Sequence, residues 1–217
     1  MKYLLSVFIF VVLSSNSFAL SQKGHRIVCE MAYQLINDRT KGKIDFLLSS
    51  MPVNHKKKLN AYQRFAEDTD VTLASSCVWA DAIKRWSDYS KFKSWHYVNV
   101  DRDATAVSDA DCNEACVIWG VETHTDELKN GSDNWTKAQA MMFLGHWLGD
   151  IHQPLHVSFK DDLGGNRIDV VGYSGCDNIH SVSDKCIIDH AQDTEAELVV
   201  ELLNDINQGT PASWTNS

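Results

Sequence analysis

Apolar residues recur at spacings of three and four along most of the chain, the period of an amphipathic helix. Ile27, Val28, Met31, Ala32, Leu35 and Ile36 predict a helix from about Gly24 to Asn37, and Ile44, Leu47 and Leu48 a shorter one stopped by Pro52. Trp79, Ile83 and Trp86 keep step in a third helix over 71–86. The strongest pattern runs from Asp133 to Ile151, opened by polar capping residues and closed before Pro154. A fifth runs from Asp189 to Asn207 on Ala191, Leu198, Val199, Leu202, Leu203 and Ile206. Only 157–173 breaks the period: Asp161 to Asn166 forms a glycine-bearing turn, and Ile168 and Val170 alternate, which predicts a small β-hairpin. No repeat, linker or biased segment interrupts the chain. The pattern is that of an all-α single domain with one β excursion, in keeping with a length of 217 residues.

The N-terminus reads as an address. A basic start at Lys2, an apolar run from Leu4 to Leu13 and the small-x-small sequence Ser17-Phe18-Ala19 predict a signal peptide over 1–19, cleaved after Ala19. The apolar run is too short to span a bilayer. The expected product is a secreted or periplasmic protein beginning at Leu20, with no membrane segment. Six cysteines suit that oxidising destination and predict three disulfides: Cys112 with Cys116 and Cys176 with Cys186 as local pairs, leaving Cys29 with Cys77. Zinc thiolates compete weakly, since no C-x-x-C occurs. Asn130-Gly131-Ser132 and Asn134-Trp135-Thr136 are glycosylation sequons.

Charge narrows the function. Twenty basic against 29 acidic residues leave a net −9, the reverse of a basic nucleic-acid-binding face. A protein of this balance that handles polyanions needs another source of positive charge.

The chemistry-bearing residues are histidines and aspartates. His146 and Asp150 lie four apart on one face of the strongest helix, His156 follows just past Pro154, and His180 and Asp184 repeat the four-residue spacing. Asp81, His96 and His25 complete the set. Neutral imidazoles with carboxylates are donors that zinc accepts. A single His/Asp pair at this spacing is more often an ion pair, so spacing alone does not distinguish the two.

The surrounding letters do more. Gly24-His25, Trp79-Ala80-Asp81, the run Trp95 to Asn99, Gly145-His146-Trp147-Leu148-Gly149-Asp150-Ile151-His152-Gln153-Pro154-Leu155-His156, Gly164-Gly165-Asn166 and the run Asn178 to Asp184 occur in an order that resembles the secreted S1/P1 nucleases, also called type I or bifunctional nucleases. The resemblance covers Leu20 to about Ser217. It implies a helical nuclease domain over 20–217 built around three Zn2+ ions. One would take Asp81, His96, His146 and Asp150, and a second His156, His180 and Asp184. The third would take His25, Asp150 as a bridge, and the α-amino and carbonyl groups of Leu20. The resemblance further implies single-stranded DNA and RNA as substrates, cleaved to 5′-phosphate products, with 3′-nucleotidase activity on 3′-mononucleotides, by a monomer. Asp81 would orient or deprotonate the attacking water, and Lys84 would stabilise charge on the phosphorane. Tyr97 would stack a base while Asn99 and Asn166 meet base edges. Three dications also supply the positive charge missing from the surface.

Two departures stand out. The family usually begins with Trp where this chain has Leu20, and its members usually continue with further helices beyond the segment matching Ser213 to Ser217. The nearest alternatives are a zinc-dependent phospholipase C and an inert zinc-binding relative. A zinc protease is disfavoured by the absence of H-E-x-x-H, and a serine hydrolase by the absence of G-x-S-x-G. His152 reads as support for the ligands or a structural residue, and His55, His124 and His190 as ordinary surface histidines.

Overall fold

A computed structural model describes residues 21–209. The predicted signal peptide and Leu20 lie outside the described residues, as do Ser213 to Ser217. Helices dominate, in the order α1 (Gln22–Leu35), α2 (Asp38–Leu48), α3 (Val53–Gln63), α4 (Leu73–Ser76) and α5 (Trp79–Ile83). A 3-10 segment over Ser87–His96 leads into strand β1 (Val98–Val100). Then come α6 (Asp109–Cys112), α7 (Val117–Asn130), α8 (Asn134–His152), a 3-10 turn over Pro154–His156 and strand β2 (Val157–Phe159). The short α9 (Ile179–Ser181), a π-turn over Val182–Cys186 and α10 (Ile187–Asp189) form one continuous helical stretch before α11 (Glu195–Gly209).

Local chemistry explains the boundaries. Asn37 caps α2 through Thr40 N–H, and Asp133 caps α8 through Thr136 N–H. The second helix ends at Leu48, ahead of Pro52, which stands at the N-cap position of α3 and makes no side-chain cap bond. The predicted 71–86 helix is interrupted at Cys77 and Val78, so α4 and α5 are separate short pieces. α3 and α7 carry no clear apolar period in sequence, α3 because Lys56, Lys57 and Lys58 dilute it.

The all-α expectation holds, but the predicted hairpin does not form. β2 pairs in parallel with β1, Val98 opposite Val157 and Val100 opposite Phe159. Ile168 and Val170 instead meet 177–179: Ile179 N–H donates to Ile168, Val170 N–H to Asp177, and Asp169 bridges Asn178. The reason lies in the turn. Leu163, Gly164 and Gly165 all have positive φ, and Gly164 N–H folds back onto the Phe159 carbonyl, so the chain leaves β2 rather than returning along it.

The main core surrounds α8, with Trp79, Ile83, Met142, Phe143 and Trp147 buried against Leu59, Val78 and Val117. All three expected disulfides are formed, Cys29–Cys77, Cys112–Cys116 and Cys176–Cys186. The first ties α1 to the end of α4 directly beneath α8. A Cβ added at Gly145 would lie 2.5 Å from Cys77 Sγ and 3.2 Å from Cys29 Sγ. Gly145→Ala is therefore expected to cost about 1–3 kcal/mol, because the disulfide cannot yield as a flexible side chain would. A thermal melt showing no loss of stability would refute this close approach.

Candidate metal centre

Six segments bring the predicted histidines and aspartates to one place. α1 carries His25, α5 Asp81, the 3-10 segment His96, α8 both His146 and Asp150, the turn before β2 His156, and the α9–π stretch His180 and Asp184. All eight side chains are buried, an arrangement that is costly for ionisable groups without partners or a metal. Three sets have their donor atoms within 4.8 Å of one another: His25, Asp81 and His146; His96, His146 and Asp150; and His156, His180 and Asp184.

Asp150 is the hub. Its Oδ1 lies 3.4 Å from His25 Nε2 and 3.5 Å from His156 Nδ1, and its Oδ2 lies 3.0 Å from His96 Nδ1 and 3.3 Å from His146 Nε2. Parallel strand pairing contributes directly, because β1 and β2 start just after His96–Tyr97 and His156. His156 Nδ1–H donates to the His96 carbonyl at 2.7 Å. His146 Nδ1–H donates to the Cys77 carbonyl at 2.6 Å, and His180 Nδ1–H to that of Gly164 at 2.7 Å. Backbone carbonyls thus fix these three rings with Nε2 turned inward, the orientation found at metal sites. Gln153 donates to Asp184 Oδ1 from the same turn. Ser21 N–H donates to the Asp184 carbonyl at 2.7 Å, holding the residue next to Leu20 against the second group.

A model of the family described as S1/P1 Nuclease matches residues 20–217. The chain belongs to the S1/P1 nuclease family. Endonuclease 5 of Arabidopsis thaliana is 31% identical over 206 residues, covering 88% of this chain and 64% of its own length. Endonuclease 3 of the same plant is 27% identical, over 99% of this chain and 70% of its own. Nuclease S1 of Aspergillus oryzae is 30% identical, over 69% and 57%. The chain therefore spans less than two thirds of the length of Endonuclease 5 and of Nuclease S1.

The donor set of this S1/P1 family chain fits metal ions on its own evidence. His25 Nδ1 and Nε2, His96 Nε2 and Asp150 Oδ1 are buried with no hydrogen-bond partner. Such atoms are costly to leave unmet and are the lone-pair donors a divalent ion uses. Electrostatics agree. Burial, then His146, lowers His25 to about 4, keeping it neutral. Burial works against the charged form of Asp81, but Lys84, then His146 and His96, hold its carboxyl at about 2. Burial likewise opposes ionised Asp150, and His146 and His156 hold it well below the usual range. For His156 burial is outweighed by Asp150 and Asp184, which raise it to about 9, a proton that a bound metal would displace.

The cluster opens on a cleft of about 340 Å³, within the range of small-ligand pockets, whose floor includes His96, His156 and His180. Lys84, Tyr97, Asn99 and Asn166 line its walls. Lys84 Nζ sits 2.7 Å from Asp81 Oδ1. Tyr97 is 43% exposed, an open ring face rather than a core residue. Asn99 Oδ1 is buried without a partner, whereas the Asn166 amide donates to the Leu163 carbonyl and closes its own turn. Lys93 and Leu163 also line the cleft and carried no signal in the sequence.

Two surface expectations are corrected. His124 is 1% exposed, and burial lowers it to about 4. His55 packs among Trp79, Trp86, Tyr89 and Trp135 rather than standing in solvent. His190 is exposed, and the exposed His152 donates to the Leu148 carbonyl of its own helix.

Proposed function

We propose that this protein is an exported, zinc-dependent phosphodiesterase that cleaves single-stranded DNA and RNA to 5′-phosphate products and acts on 3′-mononucleotides. The carrying observation is the buried cluster of eight histidines and aspartates, with partnerless donor atoms, three of whose members, His96, His156 and His180, form the floor of an open cleft. Asp81, His96, His146 and Asp150 would hold one ion, His156, His180 and Asp184 a second, and His25 with Asp150 and the freed N-terminus at Leu20 a third. Export through cleavage after Ala19 suits the three disulfides. No helix among the described residues is long and apolar enough to cross a membrane.

Zinc, when bound, supplies Lewis acidity and lowers the pKa of water near neutrality. The chain's own groups do the rest. Asp81, held ionised, accepts the proton of the attacking water and orients it toward phosphorus. As that oxygen bonds to phosphorus, the P–O3′ bond breaks, O3′ leaves with the bonding pair and takes a proton from solvent, and the strand is left with a 3′-hydroxyl on one side and a 5′-phosphate on the other. Lys84 Nζ, next to Asp81 at the cleft wall, stabilises the added negative charge on the phosphoryl oxygens. Tyr97 offers its exposed face to an unpaired base, which favours single strands because a base in a duplex cannot stack there. Asn99 and Asn166, which line the same cleft, would meet base edges.

The test is cleavage of single-stranded DNA by the purified exported chain with and without a chelator, alongside metal analysis. Chelator-sensitive cleavage to 5′-phosphorylated ends, restored by zinc, is expected. Cleavage of phosphatidylcholine with none of DNA or RNA would overturn the reading in favour of a phospholipase, and zinc uptake without either activity would leave an inert binder.

A further inference from the structure

Trp147 is fully buried, lies outside the cleft lining and packs against the cluster. Its ring meets His96 edge-on, at 4.8 Å between centroids and 88° between planes, and His146 at 5.3 Å and 90°. Behind it, Phe143 stacks at 5.5 Å and 14°. The indole thus forms the back rest of two imidazoles whose inward nitrogens form part of the centre.

α7 is shaped to hold this ring. A Cβ at Gly120 would lie 3.1 Å from both Trp147 Cδ1 and Nε1, so the missing side chain lets the helix close on the indole. One turn later, His124 Nδ1 accepts from Trp147 Nε1–H at 3.0 Å. The same Nδ1 lies 2.9 Å from the Gly120 carbonyl, and one nitrogen cannot serve both as acceptor and donor. The buried indole N–H makes no other hydrogen bond among the described residues, so this contact sets Nδ1 as its acceptor. Donation by the indole requires the tautomer with bare Nδ1. It turns Nε2–H toward Glu127 Oε2, 4.0 Å away. Burial keeps the ring neutral, which leaves Nδ1 available as an acceptor. Phe143 and Trp95, the latter adjacent to His96, pack on the His124 ring at 4.4 and 5.6 Å between centroids.

We propose that His124 is a positioning residue for the metal centre: it anchors the Trp147 indole, and through it fixes the orientation of the His96 and His146 rings. This rests on the metal reading above. His124 touches no reacting group, so its effect passes entirely through Trp147.

The experiment measures zinc affinity by chelator competition for the wild-type chain, His124→Phe, His124→Gln, Trp147→Phe and the His124→Phe/Trp147→Phe pair, with the melting of each metal-free protein and exchange of the Trp147 indole N–H by NMR. His124→Phe fills the site but cannot accept, and is expected to weaken zinc binding about tenfold and to speed indole exchange. His124→Gln offers an acceptor oxygen and should restore most of the affinity. In the Trp147→Phe background, His124→Phe should add no further loss. Unchanged affinity in His124→Phe, equal losses in the Phe and Gln variants, additive losses in the pair, or losses that only track melting temperature would each overturn the proposal. A variant that does not fold shifts the decision to the Gln variant and to indole exchange. A wild-type chain that takes up no zinc would instead overturn the metal reading itself.

Discussion

Asp150→Asn is expected to lower turnover of single-stranded DNA about a hundredfold and to lower the metal content of the purified chain, because changing even a group that only supports metal ligands typically costs about 10–100-fold. The substitution preserves shape, so packing around α8 should survive. What changes is charge. Both Asp150 oxygens lie within 3.5 Å of imidazole nitrogens from α1, the 3-10 segment, α8 itself and the turn before β2. Asp150 is also the neighbour that does most to raise His146 and His156 against their burial. With a neutral amide, four convergent rings lose their shared carboxylate, the protonated forms of His146 and His156 lose their counter-ion, and an amide NH2 faces nitrogens that must act as lone-pair donors toward metal. Metal analysis and turnover together check this outcome. Full zinc content with full activity would remove Asp150 from its bridging role.

Lys84→Met is expected to lower kcat about 10²–10³-fold with metal content and KM nearly unchanged, the size of effect seen when a single preorganised donor is removed from a developing anion. Lys84 is only 17% exposed and lines the cleft beside His96 and His156, so its charge is poorly screened. It also contacts Asp81, and the substitution separates those two roles. If Lys84 only holds Asp81, whose acidity it supports more than any other neighbour does, metal content should drop along with kcat. If it acts on phosphate, kcat should fall alone, and Lys84→Arg should recover much of it. Unchanged kcat would remove Lys84 from the reaction.

Much of the centre was legible because its pieces are short-range. His146 and Asp150, or His180 and Asp184, share a helix face by spacing alone, and Gln153-Pro154-Leu155-His156 announces the turn that brings His156 back. Tyr97 and Asn99 were legible only through resemblance, since an exposed ring and a buried amide oxygen look alike in one dimension. His124 and His55 were misread because their apolar surroundings come from distant segments: α8 and the 3-10 segment for His124, α5 and Trp135 for His55. Lys93 and Leu163 had no signal, being defined by the cleft they border.

By itself, the sequence determined the helical class, the two local disulfides with the third left over, and the His/Asp pairs at four-residue spacing, because each depends on local period, short spacing or residue chemistry; the place of His25, Asp81 and His96 in the same centre was read from the family resemblance. Only the tertiary structure decided that 157–159 pairs in parallel with 98–100, that Asp150 sits at the junction of every imidazole group but that of His180, and that an indole held by His124 backs two of those rings. Those outcomes depend on contacts dozens of residues apart, where the gain from burying α8 and satisfying backbone carbonyls outweighs any local preference.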